Sequence, residues 1–104
     1  MLYGFESDGR RIHLSFGETQ LRRSGNGLVI GRDPKLSHLI ISDGTVSRRH
    51  ARIVWKEGEI EFEDLNSLNG SFVNGQRMKP YAPIVLKIDS SVAVGSVNLT
   101  FSQT

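Results

Sequence analysis

The feature that most limits what this 104-residue chain can become is the way its apolar residues are broken up. No segment of helical length keeps an i, i+3, i+4 apolar pattern. Short runs, alternating or continuously apolar, recur between turn residues instead. Strands are predicted near residues 2–5, 12–16, 19–21, 28–30, 39–41, 51–55, 60–64, 72–73, 84–86, 92–94 and 97–101. Ser7-Asp8-Gly9, Ser24-Gly25-Asn26-Gly27, Glu57-Gly58, Asn74-Gly75 and Gly95-Ser96 supply turn chemistry between many of them. Pro80 and Pro83 mark the stretch between them as irregular or an edge. So many short strands at close spacing imply an all-β sandwich or barrel.

Alternation assigns the faces. Ala51, Ile53 and Trp55 share one side of a strand, as do Ile60 with Phe62, and Val97, Leu99 and Phe101. Glu61 and Glu63 are then expected on a solvated face. The length suits one domain over residues 1–104, large enough for a single core without staples. No internal repeat, linker or low-complexity tract interrupts it. The chain has no cysteine, so disulfides and thiolate metal sites are excluded, in keeping with a reducing compartment. No apolar run approaches the roughly 20 residues needed to span a bilayer, and residues 1–11 lack the apolar core of a signal peptide. The expected location is cytoplasmic, without membrane insertion.

Net charge is only +2, yet nine of the thirteen basic residues are arginine, with pairs at Arg10-Arg11, Arg22-Arg23 and Arg48-Arg49. The arginine fork matches phosphate or carboxylate oxygens two at a time. Five acids fall between Glu57 and Asp64. Such interleaving, with so small a net charge, argues against nucleic acid as the partner. Arg10-Arg11 and Arg22-Arg23 are read as solvated surface.

Three loop segments carry groups suited to gripping an anion or a peptide backbone. Gly31-Arg32 ends an apolar run, which places Arg32 at a sheet rim. Ser47-Arg48-Arg49-His50 precedes the strand at 51–55 and offers a hydroxyl and charged donors, suited to a phosphate of roughly −1.5 to −2 charge. His50 adjoins core-facing Ala51 and is expected to pin its loop by hydrogen bonds to backbone. Asn66-Ser67-Leu68-Asn69-Gly70-Ser71 carries carboxamides, each with a donor and an acceptor, and Gly70 suits a positive-φ turn. Ser47 and His50 lack the third member and oxyanion hole of a nucleophilic set. His13 and His38 have no ligand spacing, so no metal or other cofactor is expected. No enzyme chemistry emerges.

Taken together, Gly31-Arg32, Ser47-x-x-His50 and Asn69-Gly70, in that order, resemble the forkhead-associated (FHA) domain, bacterial type. The longer strings Ile30-Gly31-Arg32-Asp33-Pro34, Val46-Ser47-Arg48-Arg49-His50-Ala51 and Ser67-Leu68-Asn69-Gly70-Ser71-Phe72-Val73-Asn74-Gly75 carry the same likeness, which extends over roughly residues 10–102. The resemblance implies a β-sandwich of about eleven short, mostly antiparallel strands with binding loops at one end. It implies a non-catalytic module that recognises phosphothreonine in partner proteins and so depends indirectly on a Ser/Thr kinase. By position, Arg32 and Ser47 contact phosphate, Arg48 adds a phosphate or peptide contact, and Asn69 binds the peptide backbone. Gly31, His50 and Gly70 shape the loops. The resemblance also implies a small pocket for the threonine methyl, favouring it over phosphoserine; one buried methyl is worth about 0.8 kcal/mol, so strong discrimination also needs rotamer selection.

Two positions depart from the family pattern: Ser71 replaces a common threonine, and Leu68 stands where some members have a phosphate-binding hydroxyl. Lys35 and His38, on an irregular loop, are solvent-exposed candidates for tuning ligand preference, as is Leu68. The competing expectation is a phospho-independent protein–protein or self-association module.

Overall fold

A computed structural model describes every residue except Ser7, Gln103 and Thr104. The turn expected at Ser7-Asp8-Gly9 therefore falls partly outside the described residues. The eleven strands are β1 (Leu2–Phe5), β2 (Arg11–Leu14), β3 (Leu28–Gly31), β4 (Leu39–Ile40), β5 (Ala51–Lys56), β6 (Glu59–Asp64), β7 (Ser71–Val73), β8 (Gln76–Arg77), β9 (Ile84–Val85), β10 (Ser91–Val94) and β11 (Val97–Phe101). One helix, α1 (Glu18–Arg23), lies between β2 and β3.

The strands form two sheets. One has the order β2-β1-β11-β10-β7-β8 and the other β4-β3-β5-β6-β9. All pairings given by register are antiparallel except β3 with β4. The alternation read from sequence sets the faces: Ala51, Ile53 and Phe62 are fully buried, and Val97, Leu99 and Phe101 line the same core. β1 and β11 pair from Leu2↔Phe101 to Phe5↔Asn98, and the Ser102 N–H donates to the Met1 carbonyl at 2.8 Å. Residues 1 and 102 therefore lie side by side. They sit at the end of β11 opposite the Gly95-Ser96 turn.

Two expected elements differ. Residues 19–21 were expected as a strand and belong to α1. The segment is too short for helical periodicity to be visible, but its ends are consistent with a helix. Gln20 Oε1 accepts the Gly17 N–H, Glu18 occupies the first turn, and Arg22 and Arg23 the last. Leu21 is the one helical residue driven into the core. Arg22 lies over the Trp55 ring at 5.2 Å, so it covers an aromatic face as well as meeting solvent. The second difference is β8, which polar Gln76 and Arg77 did not announce. Asn74 (φ 50°) and Gly75 (φ 82°) form a tight two-residue turn, and this turn sets Val73 opposite Gln76 and Phe72 opposite Arg77.

The expectation of solvated glutamates fails at Glu63. It lies opposite Arg52 across β5 and β6, is 7% exposed and pairs with the guanidinium. Arg52 also donates to the Asn26 carbonyl at 2.9 Å, so it folds over the sheet and screens Glu63 from water.

Because Leu21 is the one buried residue of α1, Leu21→Ala should lower the unfolding free energy by about 2–5 kcal/mol in urea titration. A change below about 0.5 kcal/mol would mean the helix does not seal the core.

Candidate functional site

The three polar segments meet at one end of the sandwich, and a buried histidine joins them. His50 is fully buried. Its Nδ1 accepts the Ser47 N–H at 3.0 Å, and this fixes the tautomer. Nε2–H then donates to the Gly70 carbonyl at 2.8 Å. The backbone of His50 adds two more links: its N–H donates to the Ile30 carbonyl (2.8 Å) and its carbonyl accepts the Leu65 N–H (3.0 Å). One residue thus ties the end of β3, its own loop and the β6–β7 loop. Neither ring nitrogen faces the Ser47 hydroxyl, so the pair is not arranged as nucleophile and base.

Gly31 is needed for space. A Cβ there would lie 2.0 Å from the Arg48 carbonyl oxygen and 2.3 Å from Ser37 Oγ. Its absence lets the β4–β5 loop close onto β3. The Arg32 and Asp33 amides then donate to the Ser47 and Arg48 carbonyls, and Ser37 Oγ–H donates to the Arg48 carbonyl at 2.7 Å. Gly70 differs, because its φ of 87° lies in the left-handed region.

Asp64 is the buried anchor that sequence reading missed. It is 2% exposed, and its Oδ1 accepts the hydroxyls of Ser67 and Ser71, each at 2.6 Å. Oδ2 accepts the Ser67 N–H, while Ser67 Oγ accepts the Gly70 N–H. The signal was available: Asp64 has the parity of core-facing Ile60 and Phe62, so its carboxylate had to find donors. The Thr45–Ser96 contact had no such signal. Thr45 Oγ1 accepts the Ser96 N–H at 3.0 Å, and the Gly95 N–H reaches the Gly70 carbonyl at 3.0 Å. This brings the β10–β11 turn into the cluster.

The expected ligand-facing groups lie on this frame. Arg32 is exposed; its Nε donates to the Val46 carbonyl at 3.0 Å, which holds the fork while its other N–H groups face outward. Ser47 Oγ accepts the Leu68 N–H at 3.1 Å and keeps its own proton to donate. Asn69 Nδ2 donates to the Thr45 carbonyl at 2.8 Å and leaves Oδ1 and a second N–H at the surface. The Arg48 side chain is exposed. Leu68, 85% exposed, projects from the loop beside Ser47. Lys35 is exposed, as expected, on a turn held by Asp33. His38 is exposed too, but its Nδ1 accepts the Val29 N–H at 2.9 Å while its backbone N–H donates to the Val29 carbonyl, so ring and backbone together act as a strand partner for Val29. Among the described residues no cluster of His, Cys, Asp and Glu could hold a metal ion.

Burial pushes the His50 pKa below 6.5, against weaker upward pulls from the Gly70 bond and the Asp64 charge. The unfolded chain therefore takes up a proton more readily than the folded one. The His50 contribution is complete above about pH 6.5 and is lost as pH falls toward the lower folded value. His50→Ala should lower the melting temperature at pH 7.5 and reduce the further loss seen as pH falls below 6.5. An unchanged melting temperature would refute the role as loop tie.

Comparison with known proteins agrees with this geometry. The chain is 41% identical over 71 residues to the oxoglutarate dehydrogenase inhibitor of Corynebacterium efficiens, covering 68% of this chain and 47% of that one. It is 39% identical over 71 residues to the glycogen accumulation regulator GarA of Mycolicibacterium smegmatis, covering 68% and 42%. The chain thus spans less than half the length of these relatives. Among solved structures, the FHA domain of the CT664 protein from Chlamydia trachomatis superposes with a TM-score of 0.73 at 26% identity, over 99% of this chain and 95% of that one. A structure described as an analysis of phosphothreonine-dependent FHA domain interactions gives 0.72 at 25%, over 99% and 94%. The sequence model for the FHA domain matches residues 28–95, and the chain belongs to that family.

Proposed function

We propose that this chain is a non-catalytic reader of phosphothreonine, docking onto partner proteins after a Ser/Thr kinase has modified them. The observation that carries the reading is the convergence of Arg32, Ser47 and Asn69 on three loops that are already hydrogen-bonded to one another. Arg32 supplies charge-assisted donors, Ser47 a hydroxyl proton and Asn69 a carboxamide for the ligand backbone. Arg48 adds a second cation beside Ser47. Relatives named as inhibitors and regulators fit a chain that acts by binding. No helix among the described residues is long and apolar enough to cross a membrane, and a cytoplasmic setting, where kinases and their targets meet, suits the proposed role. We read residues 1–104 as one such module, consistent with the superposition over 99% of the chain.

A second reading, phospho-independent association, is favoured by one observation. Phe5 is 59% exposed and Tyr3 45% exposed on the outer face of β1. Equal affinity for the phosphorylated and unphosphorylated forms of a partner would establish it in place of the first.

Arg32→Ala should remove measurable binding to a phosphothreonine peptide in calorimetry, since each hydrogen bond to a charged group is worth about 1.5–3 kcal/mol. Ser47→Ala and Asn69→Ala should weaken it. Unchanged affinity in Arg32→Ala would sink the reading. Leu68→Thr restores a hydroxyl beside Ser47 and should tighten binding several-fold; weaker binding would show instead that the Leu68 side chain itself contacts the ligand.

A further inference from the structure

The outer face of the six-stranded sheet carries cations and aromatic rings but no acid. None of its strands, β2, β1, β11, β10, β7 and β8, contains Asp or Glu. The contrast is β6 in the other sheet, where Glu59, Glu61 and Glu63 share one face. Alternation turns Ile12, Leu2, Leu99, Val92 and Val73 into the core, and their neighbours outward. The register then aligns one outward row across all six strands: Arg11, Phe5, Asn98, Ala93, Phe72 and Arg77. A ring stands near each end of the row, with an arginine outside it.

The row has the profile of a trough. Phe5 and Phe72 are three strand spacings apart, about 14 Å. The floor between them is Asn98 and Ala93, and the next outward pair is Thr100 with Ser91. All four side chains are shorter than the rings. Tyr3, two residues from the exposed Phe5, continues the wall along β1 and is exposed as well. An α-helix with its side chains is about 10–12 Å across, so it fits between these walls when it lies along the strands. The five residues of β11 run about 17 Å, the length of about three helical turns. The rims are positive. The Arg77 guanidinium rests over the Phe72 ring, 5.8 Å from its centroid. Arg11 is exposed and belongs to neither ion pair of the described residues, Arg10–Asp8 and Arg52–Glu63.

We propose that this face docks an amphipathic α-helix of a partner protein, about three turns long, with small apolar residues toward the trough and acidic residues on its flanks. The proposal rests on the phospho-independent reading above, because it uses the same exposed β1 aromatics, and it makes no use of the phosphothreonine loops. Charge decides the occupant. Flanking carboxylates would meet Arg11 and Arg77, whereas a second copy laid face to face would set cations against cations with no acid between them.

The probe is a synthetic three-turn helix held by a side-chain staple, with Ala and Leu on one face and Glu on both flanks. Fluorescence anisotropy measures its affinity, and backbone amide shifts in NMR spectra map where it sits. Saturable binding is expected, about tenfold tighter than for the same helix with Lys flanks. The largest shifts should fall at Ala93, Asn98 and Thr100. Phe5→Ser and Arg11→Glu should each weaken binding several-fold and leave the melting temperature unchanged. Arg32→Ala should bind the helix as the unsubstituted chain does; loss in that variant would place the helix on the loops and overturn the proposal. Equal affinity for the Glu-flanked and Lys-flanked helices would overturn it too. So would equal binding of a proline-broken version, which would assign the face to an extended segment, or tighter binding of a single-stranded oligonucleotide. No saturable binding at millimolar helix would end it outright, without touching the phosphothreonine reading.

Discussion

Everything at the end of the sandwich where the three polar loops meet depends on the imidazole of His50 being neutral and enclosed. Its ring receives one hydrogen bond and gives one, so a single tautomer satisfies the Ser47 amide and the Gly70 carbonyl at once. A protonated ring would have only donors and would lose the Ser47 amide. The desolvation that lowers its pKa therefore also preserves the geometry. Through its ring and its backbone together, His50 joins the end of β3 to its own loop and to the β6–β7 loop. Surface arginines gain direction from this arrangement, because the peptide groups that hold Arg32 in place, Val46 and Ser47, belong to the loop that His50 fixes.

Around that tie, the loops are brought close by what is missing as much as by what bonds. Gly31 leaves room for the Arg48 carbonyl, and Gly95 leaves room for Thr45, whose carbonyl oxygen would lie 2.4 Å from a Cβ built there. Asp64 then gathers two hydroxyls and an amide, so the β6–β7 loop has its own internal frame before any ligand arrives. Preorganisation of this kind matters for a small exposed site, where ordering loops on binding would offset much of what a few charged hydrogen bonds contribute.

How far the sequence was legible follows from the range of each interaction. Alternation exposed the core faces of β5, β6 and β11 because a strand's pattern is local. The three motifs could be recognised by their order, and the structural role of His50 could be read from its position beside Ala51. Helix α1 escaped because six residues give too little periodicity, and β8 because its two residues are polar. Glu63 was misread because alternation assigns a face but not what covers it, and Arg52 covers that one. The Thr45–Ser96 contact joins residues 51 apart, and no local pattern encodes such a meeting.

The pairing of residue 1 with residue 102 gives the module a mechanical property. Residues 1 and 102 lie at nearly one point of the sandwich, away from the loops that His50 joins. A pull transmitted through flanking chain on either side would load β1 and β11, which are hydrogen-bonded neighbours in the six-stranded sheet, and not the loop cluster. A unit tethered through these two neighbouring strands would keep its loop cluster out of the line of force, like a pendant on one link.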